Sequence, residues 1–358
     1  MMERLRVYDG ARVLVFGHTG FVGGWLAVWL TRLGAKVYGF ALPPQDDPNL
    51  FDALALATRV EQRLADVRDP AAVVEATLAA RPDVVFHLAA QSRVRRSYRS
   101  PIETLDTNVM GTAHVLEALR TVSGTRACVV VTSDKCYENH ERPDGYRESD
   151  PLGGHDAYSA SKACAEIVVA SYRSAFLMRS EPAVLVASAR AGNIVGGGDW
   201  GEDRIIPDCV RSIASRQALE LRSPRAVRPW QHVLDALLGY LLLGADLLAG
   251  RGDRAEAWNF GPDANEPKTV SELVARFFTE WDDPTVPLVS VVSPNGPVET
   301  GQLRLDSTKA QQRLGWRPRL GFAESVGWTA RWYRAFYDDR ASALETTVGQ
   351  IARYEERL

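Results

Sequence analysis

The first 190 residues alternate short apolar runs with longer stretches of helical spacing, and this alternation limits the possible folds more than any other feature. The apolar runs are RVLVF (12–16), AKVYGFA (35–41), DVVFHLA (83–89), ACVVVT (127–132) and AVLVASA (183–189). Such near-continuous runs are typical of strands buried on both faces. Because helices separate the strands, right-handed crossovers should join them into a parallel sheet covered on both sides. The sequence therefore predicts an α/β fold with a doubly wound parallel sheet.

The alternation weakens after residue 190, where glycine, proline and arginine become frequent. These segments are typical of loops and short helices. The stretch 233–250 is predicted to be a buried helix, because ten residues separate Asp235 from Asp246 and a membrane span needs about 20. We therefore predict two interleaved lobes, which are a dinucleotide-binding domain (1–190 plus about 233–262) and a smaller C-terminal α/β substrate lobe (about 191–232 plus 263–358).

The composition argues against several classes of protein. With 46% hydrophobic and 24% charged residues the chain is globular, and a net charge of −3 argues against a nucleic-acid binder. The four cysteines form no CxxC pair and the six histidines show no metal-ligand spacing, so we expect no metal site. The N-terminus lacks the apolar core of a signal peptide. We predict a cytoplasmic protein without membrane association.

A glycine-rich turn, VLVFGHTGFVGGWL (13–26), joins the first strand to the first helix. Gly17, Gly20 and Gly23 have the spacing that permits a sharp turn, close approach of a pyrophosphate and packing of helix on strand. The helix N-terminus would face the phosphates with free N–H groups. The alternative is a purely structural turn. The context predicts a Rossmann-like dinucleotide site.

The adenosine end of this site is less clearly marked. The second strand ends in GFALPP (39–44), with neither the carboxylate that usually binds the ribose nor a cation for a 2′-phosphate, and the first acidic residue is Asp46. We predict NAD, although this segment gives little basis for preferring it to NADP. Asp66 follows the third strand and is placed to meet the adenine amine, unless it merely caps a loop or helix.

Tyr158 and Lys162 form YSASK and share one helix face. A tyrosine is a poor base at pH 7, but we expect the lysine ammonium to lower its pKa and to hold the nicotinamide ribose. The alternative is a solvated helix face. In VTSDKCY (131–137), Ser133, Asp134 and Lys135 follow the fifth strand, at the sheet edge where ligands bind; otherwise they are polar groups that cap a helix.

Together these motifs resemble the extended short-chain dehydrogenase/reductase superfamily and, within it, the sugar-nucleotide 4,6-dehydratases, most closely the branch that acts on CDP-glucose. The resemblance covers nearly the whole chain, and its most specific segments are TSDKCYEN (132–139) and RPWQHV (228–233). Val22 and Gly24 stand where the family has lysine and serine, which puts the hold on the cofactor phosphates in doubt.

The resemblance implies an internal redox cycle on NAD. Tyr158 would take the proton of the sugar 4-hydroxyl, Ser133 would bond that hydroxyl, and Asp134 would protonate the departing 6-hydroxyl. Lys135 stands where relatives usually have a glutamate that acts at C5. It would be the C5 base or, since a cation cannot abstract a proton, an electrostatic stabiliser of the enolate. The product would be a CDP-4-keto-6-deoxyglucose.

The resemblance also implies the remaining contacts. Cofactor contacts are expected at Gly17, Gly20, Phe21, Gly23, Asp66, Val67, Leu88, Ala89, Ala90, Tyr158 and Lys162. Substrate contacts are expected at Asn193, Arg204, Arg228 and Arg304. Asn108 resembles a helix-kinking asparagine, and apolar helix faces predict a homodimer or homotetramer. SRVRRSYRS (92–100) carries four arginines, for which we predict a structural or subunit-contact role.

Two other functions fit parts of the pattern. A sugar-nucleotide 4-epimerase or 4-reductase would need Tyr158 but not Asp134 and Lys135 together. A non-catalytic NAD-binding protein on the same fold would be expected to lose Tyr158 or Lys162, and both residues are present.

Overall fold

A parallel sheet of seven strands organises the molecule in this computed structural model, which describes residues 1–142, 144–262, 268–282, 289–291 and 302–358. Parts of the predicted substrate lobe therefore lie outside the described residues. The strands are β1 Arg12–Phe16, β2 Lys36–Ala41, β3 Glu61–Leu64, β4 Val84–His87, β5 Ala127–Val131, β6 Leu185–Ala191, β7 Ile194–Val195, β8 Leu219–Leu221, β9 Val227–Arg228, β10 Gln231–His232, β11 Ala257–Phe260, β12 Lys268–Thr269 and β13 Val289–Val291.

The strand order of the main sheet is β11-β6-β5-β4-β1-β2-β3, and every neighbouring pair is parallel. The order reverses between β1 and β4, so the predicted doubly wound, Rossmann-like sheet is confirmed. At such a reversal the crossovers leave in opposite directions and open a crevice at the carboxyl ends of the strands. The glycine-rich turn follows β1 and therefore lies at this crevice.

Helices cover both faces of the sheet. Their bounds are α1 Met2–Leu5, α2 Phe21–Arg32, α3 Leu50–Ala53, α4 Pro70–Ala80, α5 Val94–Arg99, α6 Pro101–Leu105, α7 Gly111–Thr121, α8 Ala157–Ala175, α9 Ile205–Ser215, α10 Val233–Leu248, α11 Val270–Trp281, α12 Phe322–Asp338 and α13 Ala343–Glu355. Short 3₁₀ turns span Arg6–Tyr8, Leu56–Thr58, Asp134–Cys136, Leu177–Arg179, Gly252–Arg254 and Arg340–Ser342, and π turns span Asp106–Met110 and Ala310–Leu314.

Two strands depart from the apolar pattern. β3 reads EQRL and all four of its residues are exposed, because it is an edge strand that carries little of the core. β6 begins at Leu185, two residues later than the sequence predicts, since the N–H of Val184 bonds the carbonyl of Leu177 instead of joining the sheet.

The predicted buried helix is α10, and all sixteen of its residues are buried. It packs against β5 and β6. Its two acidic residues are compensated rather than exposed. The Asp235 carboxylate accepts from the N–H of Arg319 at 2.7 Å and the hydroxyl of Tyr354 at 2.6 Å, and Asp246 pairs with Arg4 at 2.6 Å. No helix in the described ranges combines the length and apolar character that crossing a bilayer requires.

In the part of the chain that the structure describes, three two-stranded sheets lie outside the main sheet, and they pair β7 with β10, β8 with β13 and β9 with β12. Helices α9, α11 and α12 belong to the same part of the chain. Trp200 packs against Trp332, Tyr333 and Phe336 of α12 in an aromatic cluster. The indole N–H of Trp25 in α2 bonds the carbonyl of Gly197 at 2.8 Å, which ties this region to the dinucleotide-binding half. The exact division of the chain into two lobes stays a prediction.

Candidate active site

The glycine-rich turn needs glycine at two positions for reasons internal to the chain. Gly17 has a φ of +95°, and a Cβ there would lie 2.7 Å from the backbone nitrogen of Ala89. A Cβ on Gly23 would lie 2.1 Å from the carbonyl oxygen of Gly17. Gly20, the N-cap of α2, is different, because its nearest neighbour would be 3.5 Å away. Its bare backbone leaves room for a ligand at the helix N-terminus.

A crevice of about 320 Å³ opens beside this turn, at the low end of the range for small-molecule sites. Nine of the predicted cofactor contacts line it, namely Gly17, Gly20, Phe21, Gly23, Asp66, Val67, Leu88, Ala89 and Ala90. The glycine cradle, the helix N-terminus and the position at the strand reversal fit a dinucleotide. Within the described residues, no cluster of three or more His, Cys, Asp or Glu side chains could hold a metal ion.

Asp66 lies in the crevice but is already engaged. Its carboxylate pairs with the Arg68 guanidinium at 2.5 Å and accepts the Arg68 backbone N–H at 2.9 Å. The hydrogen bond from the Arg68 side chain is the main cause that lowers the Asp66 pKa. Asp69, not Asp66, caps α4. The adenine contact of Asp66 stays a prediction.

The turn after β5 places three functional side chains within three residues. Ser133 Oγ donates to Asp134 Oδ1 at 2.9 Å and accepts from the Lys135 N–H at 3.2 Å, so Ser133 also caps the 3₁₀ turn. Asn193 donates to Asp134 Oδ2 at 3.4 Å. Asp134 is 2% exposed, and burial raises its pKa against the lowering effect of the Lys135 cation and the Ser133 hydrogen bond. This carboxyl therefore holds its proton to a higher pH than an exposed aspartate.

Tyr158 and Lys162 lie in the first turns of α8, whose N-cap Asp156 accepts the Ser159 N–H at 2.9 Å. Tyr158 is 7% and Lys162 5% exposed, so the alternative of a solvated helix face is wrong. Lys162 Nζ lies 6.0 Å from the centroid of the Tyr158 ring. The i, i+4 spacing thus brings both side chains to one buried face, as predicted.

The electrostatics of this pair differ from the expectation. Burial raises the pKa of Tyr158 to about 12, and the two groups that oppose the rise are the Ser133 hydrogen bond and the Arg204 cation. The net lowering expected for the Tyr158 pKa is not found, because burial dominates; Arg204 is a cation that opposes the rise, and an effect of Lys162 on the phenol stays a prediction. Burial also lowers the pKa of Lys162 itself to about 8.

Asn108 lies in the π turn Asp106–Met110, between α6 and α7. Its amide donates to the carbonyl of Gln91 at 3.0 Å and to Ser161 Oγ at 2.8 Å, and its oxygen accepts the Gln91 N–H at 2.8 Å. A π turn is a common cause of a helix kink, but the kink itself stays a prediction. Asn108 joins the loop after β4 to α8 beside Lys162.

The four predicted substrate contacts occupy different places. Asn193 bonds Asp134, and the cation of the 8% exposed Arg228 lowers the Asp134 pKa. Arg204 pairs with Asp199 at 2.8 Å and lines the crevice. Arg304 is half-buried, and its carbonyl accepts the Tyr146 N–H. The roles of all four in binding stay predictions.

Arg93 and Arg96 are crevice residues that the sequence analysis assigned elsewhere. Both line the crevice, a position that the sequence analysis did not assign to them, and the structural or subunit-contact role of SRVRRSYRS stays a prediction. The signal that could have identified them is their position directly after β4, since the carboxyl ends of strands flanking a reversal carry ligand contacts.

Comparison with known proteins agrees with this geometry. The family model described as GDP-mannose 4,6 dehydratase matches residues 14–328. The chain belongs to this family. Its resemblance to the sugar-nucleotide 4,6-dehydratases, predicted from the motifs, is thereby confirmed. Among relatives of this family member, the CDP-glucose 4,6-dehydratase of Salmonella typhimurium is 44% identical over 332 residues, which cover 92% of each chain.

Solved structures share the family's fold. An epimerase of Methanothermobacter thermautotrophicus aligns with a TM-score of 0.80 at 23% identity, over 96% of this chain and 97% of that one. A dTDP-glucose 4,6-dehydratase of Streptomyces venezuelae, solved with NAD and TYD bound, aligns with a TM-score of 0.76 at 24% identity, over 94% and 99%. Because an epimerase and a dehydratase share this fold, the fold does not decide between the two reactions.

Proposed function

We propose that this protein is an NAD-dependent CDP-glucose 4,6-dehydratase, which converts CDP-glucose to CDP-4-keto-6-deoxyglucose and water. The observation that carries the proposal is the buried Asp134 beside Tyr158. An epimerase needs a base at the sugar 4-hydroxyl but has no hydroxyl to expel. A carboxyl whose pKa burial raises is suited to give a proton to a leaving hydroxyl. The 44% identical Salmonella typhimurium relative supports the choice of nucleotide.

The crevice residues would hold NAD, with Gly20 and the N-terminus of α2 at the pyrophosphate and Lys162 at the nicotinamide ribose. When bound, NAD supplies a hydride acceptor that takes the hydride from C4 of the sugar and returns it at C6. The chain itself supplies the groups that move protons and exclude water.

Tyr158 removes the proton of the sugar 4-hydroxyl. Its phenol is neutral at pH 7, because burial raises its pKa to about 12. The phenol must therefore first release its own proton to solvent, and the phenolate so formed, stabilised by the Arg204 cation and by the Ser133 hydroxyl when its proton turns toward it, is the base. Ser133 donates its one hydroxyl proton to Asp134 and also acts on the Tyr158 phenol, so it lies between the group that takes a proton and the group that gives one.

Asp134 and Lys135 serve the elimination of water. Once C4 is a ketone, the C5 proton is acidic, and its loss leaves an enolate. Asp134 protonates the 6-hydroxyl as it departs from C6. Only a neutral amine of Lys135 can take the C5 proton, and we assign it that step; the ammonium that results then stabilises the enolate electrostatically.

Arg228, Arg204, Asn193 and Arg304 are the candidates for the nucleotide diphosphate of the substrate. Arginine suits phosphate because its fork of donors binds two oxygens at once. Arg228 and Asn193 both approach Asp134, which would place the sugar at the reacting groups when its diphosphate is bound.

The cytoplasm is the proposed location, in agreement with four cysteines that are all free thiols.

Incubation of the purified protein with CDP-, dTDP-, GDP- and UDP-glucose tests the proposal. We expect loss of one water, measured by mass spectrometry, from CDP-glucose and not from the other three. Loss of water from another nucleotide sugar alone would keep the reaction and contradict the nucleotide assignment. Conversion of a hexose without change of mass would instead support the 4-epimerase.

We also propose that the protein is a homodimer that pairs α6–α7 and α8 of two copies. Ile102 (69% exposed), Met110 (49%) and Ile167 (58%) are large apolar side chains in or beside these helices that the chain itself leaves uncovered. We expect Ile167→Glu to shift the protein to the monomer in size-exclusion chromatography with light scattering. Leu78→Glu, at a 52% exposed leucine of α4, is the matched control. An unchanged mass for Ile167→Glu would contradict this interface.

A further inference from the structure

The crevice contains four arginines and four carboxylates, and each arginine is paired with one carboxylate. The pairs are Arg93–Asp46 at 2.5 Å, Arg68–Asp66 at 2.5 Å, Arg96–Glu103 at 2.8 Å and Arg204–Asp199 at 2.8 Å. The formal charges of the side chains that line the crevice therefore sum to zero. A dinucleotide with an additional 2′-phosphate would bring two more negative charges without meeting a surplus cation among these residues.

The Arg93–Asp46 pair lies where the adenosine ribose is bound in such folds. The ribose lies beside the carboxyl end of the second strand, where a carboxylate usually follows directly. Here β2 ends at Ala41, and the next four residues (42–45) carry no ionisable group. Asp46 reaches the same crevice from further along the loop.

Arg93 holds Asp46 from across the crevice. Its Nη2 donates to Asp46 Oδ1 at 2.5 Å, and its Nη1 approaches Glu202 at 3.4 Å. The backbone N–H of Arg93 donates to Gln91 Oε1 at 2.6 Å, so the arginine itself is fixed to the loop after β4. The two side chains are only 18% and 29% exposed. The loop after β2 thus lacks a carboxylate at the usual position, but it presents Asp46, which Arg93 orients from the loop after β4.

We propose that Asp46, oriented by Arg93, binds the hydroxyls of the adenosine ribose and selects NAD against NADP. This inference rests on the proposed cofactor, but it does not depend on the sugar substrate or on the elimination. A carboxylate accepts hydrogen bonds from the 2′- and 3′-hydroxyls, whereas it repels a 2′-phosphate. The Arg93 guanidinium cannot bind a 2′-phosphate while it is paired with Asp46.

Isothermal titration of the full chain with NAD and with NADP, without sugar nucleotide, tests this assignment. For Asp46→Asn we expect NAD to bind about tenfold more weakly, because a hydrogen bond to a charged group is lost. We expect NADP to bind about tenfold more tightly, because Arg93 is free to bind the phosphate. Arg93→Met should weaken NAD without admitting NADP, since Asp46 keeps its charge.

The matched control is Glu75→Gln, which removes the carboxylate of the exposed Arg63–Glu75 pair outside the crevice. It should leave both affinities unchanged. The assignment is wrong if Asp46→Asn keeps the wild-type ratio of NAD to NADP affinity, or if the wild type binds both equally. If NAD selectivity behaves as expected but CDP-glucose is not dehydrated, the proposed reaction fails while the role of Asp46 stands.

Discussion

Tyr158→Phe is expected to lower kcat for dehydration of CDP-glucose by about a thousandfold or more. The phenol is the group placed to take the proton of the sugar 4-hydroxyl, and general base catalysis contributes about 10²–10⁴-fold. Loss of the hydroxyl also removes one hydrogen-bond partner of Ser133. The measurement is the rate of water loss at saturating CDP-glucose, with CDP binding followed separately by titration to show that the site is intact.

Tyr172→Phe is the matched control, because Tyr172 lies on the same helix α8 but only partly buried and away from the turn after β5. It should retain wild-type turnover. If Tyr158→Phe kept a kcat within tenfold of the wild type, another group would have to be the base and the proposed mechanism would be wrong.

Asp134→Asn is expected to separate oxidation of the sugar from elimination of water. Asparagine keeps the shape of the side chain but cannot give a proton to the leaving 6-hydroxyl, so product formation should fall about 10²–10³-fold. The first hydride transfer does not need this proton. In a single turnover we therefore expect the absorbance of reduced nicotinamide to appear and persist, where the wild type shows it only transiently.

The pH dependence provides a second measurement on the same variant. Burial raises the pKa of Asp134, and the acid must be protonated to act, so wild-type kcat should fall as pH rises through that pKa. This alkaline limb should be missing in Asp134→Asn. Asp69→Asn, which retains the cap of α4, is the control and should keep the wild-type profile. Equal losses of both half-reactions in Asp134→Asn would contradict its role as the acid.

The sequence predicts the sheet well where burial dictates residue type. β1, β4 and β5 lie on the apolar runs because both of their faces are covered, and α10 is where its largely apolar sequence places it. β3 escapes this reasoning, since an edge strand reading EQRL carries no apolar signal. The charged residues inside α10 could be interpreted only with the structure, because the donors for Asp235 come from positions 84 and 119 residues later.

The candidate site likewise has features that the sequence predicts and features that only the structure shows. Local spacing predicts that Tyr158 and Lys162 share a face and that three polar side chains follow β5. It does not predict which cation acts on Tyr158, since Arg204 comes from a loop remote in sequence. Nor does it predict the Arg93–Asp46 pair, which joins residues 47 positions apart. The burial that sets the direction of the pKa shifts of Asp134, Tyr158 and Lys162 exists only once the chain is folded.

Contacts between distant parts of the chain limit how this enzyme can be dissected. A fragment ending near residue 190 would lack both β11, which completes the sheet, and α10, which covers β5 and β6. Removing the last 40 residues would leave the buried Asp235 carboxylate, in the first turn of the same helix, without the Arg319 and Tyr354 donors. A chimera that joins the first 190 residues of one homologue to the rest of another would therefore combine core residues that do not pack on each other. Chimeras that exchange only short surface loops leave this core intact and are the practical route to new specificities.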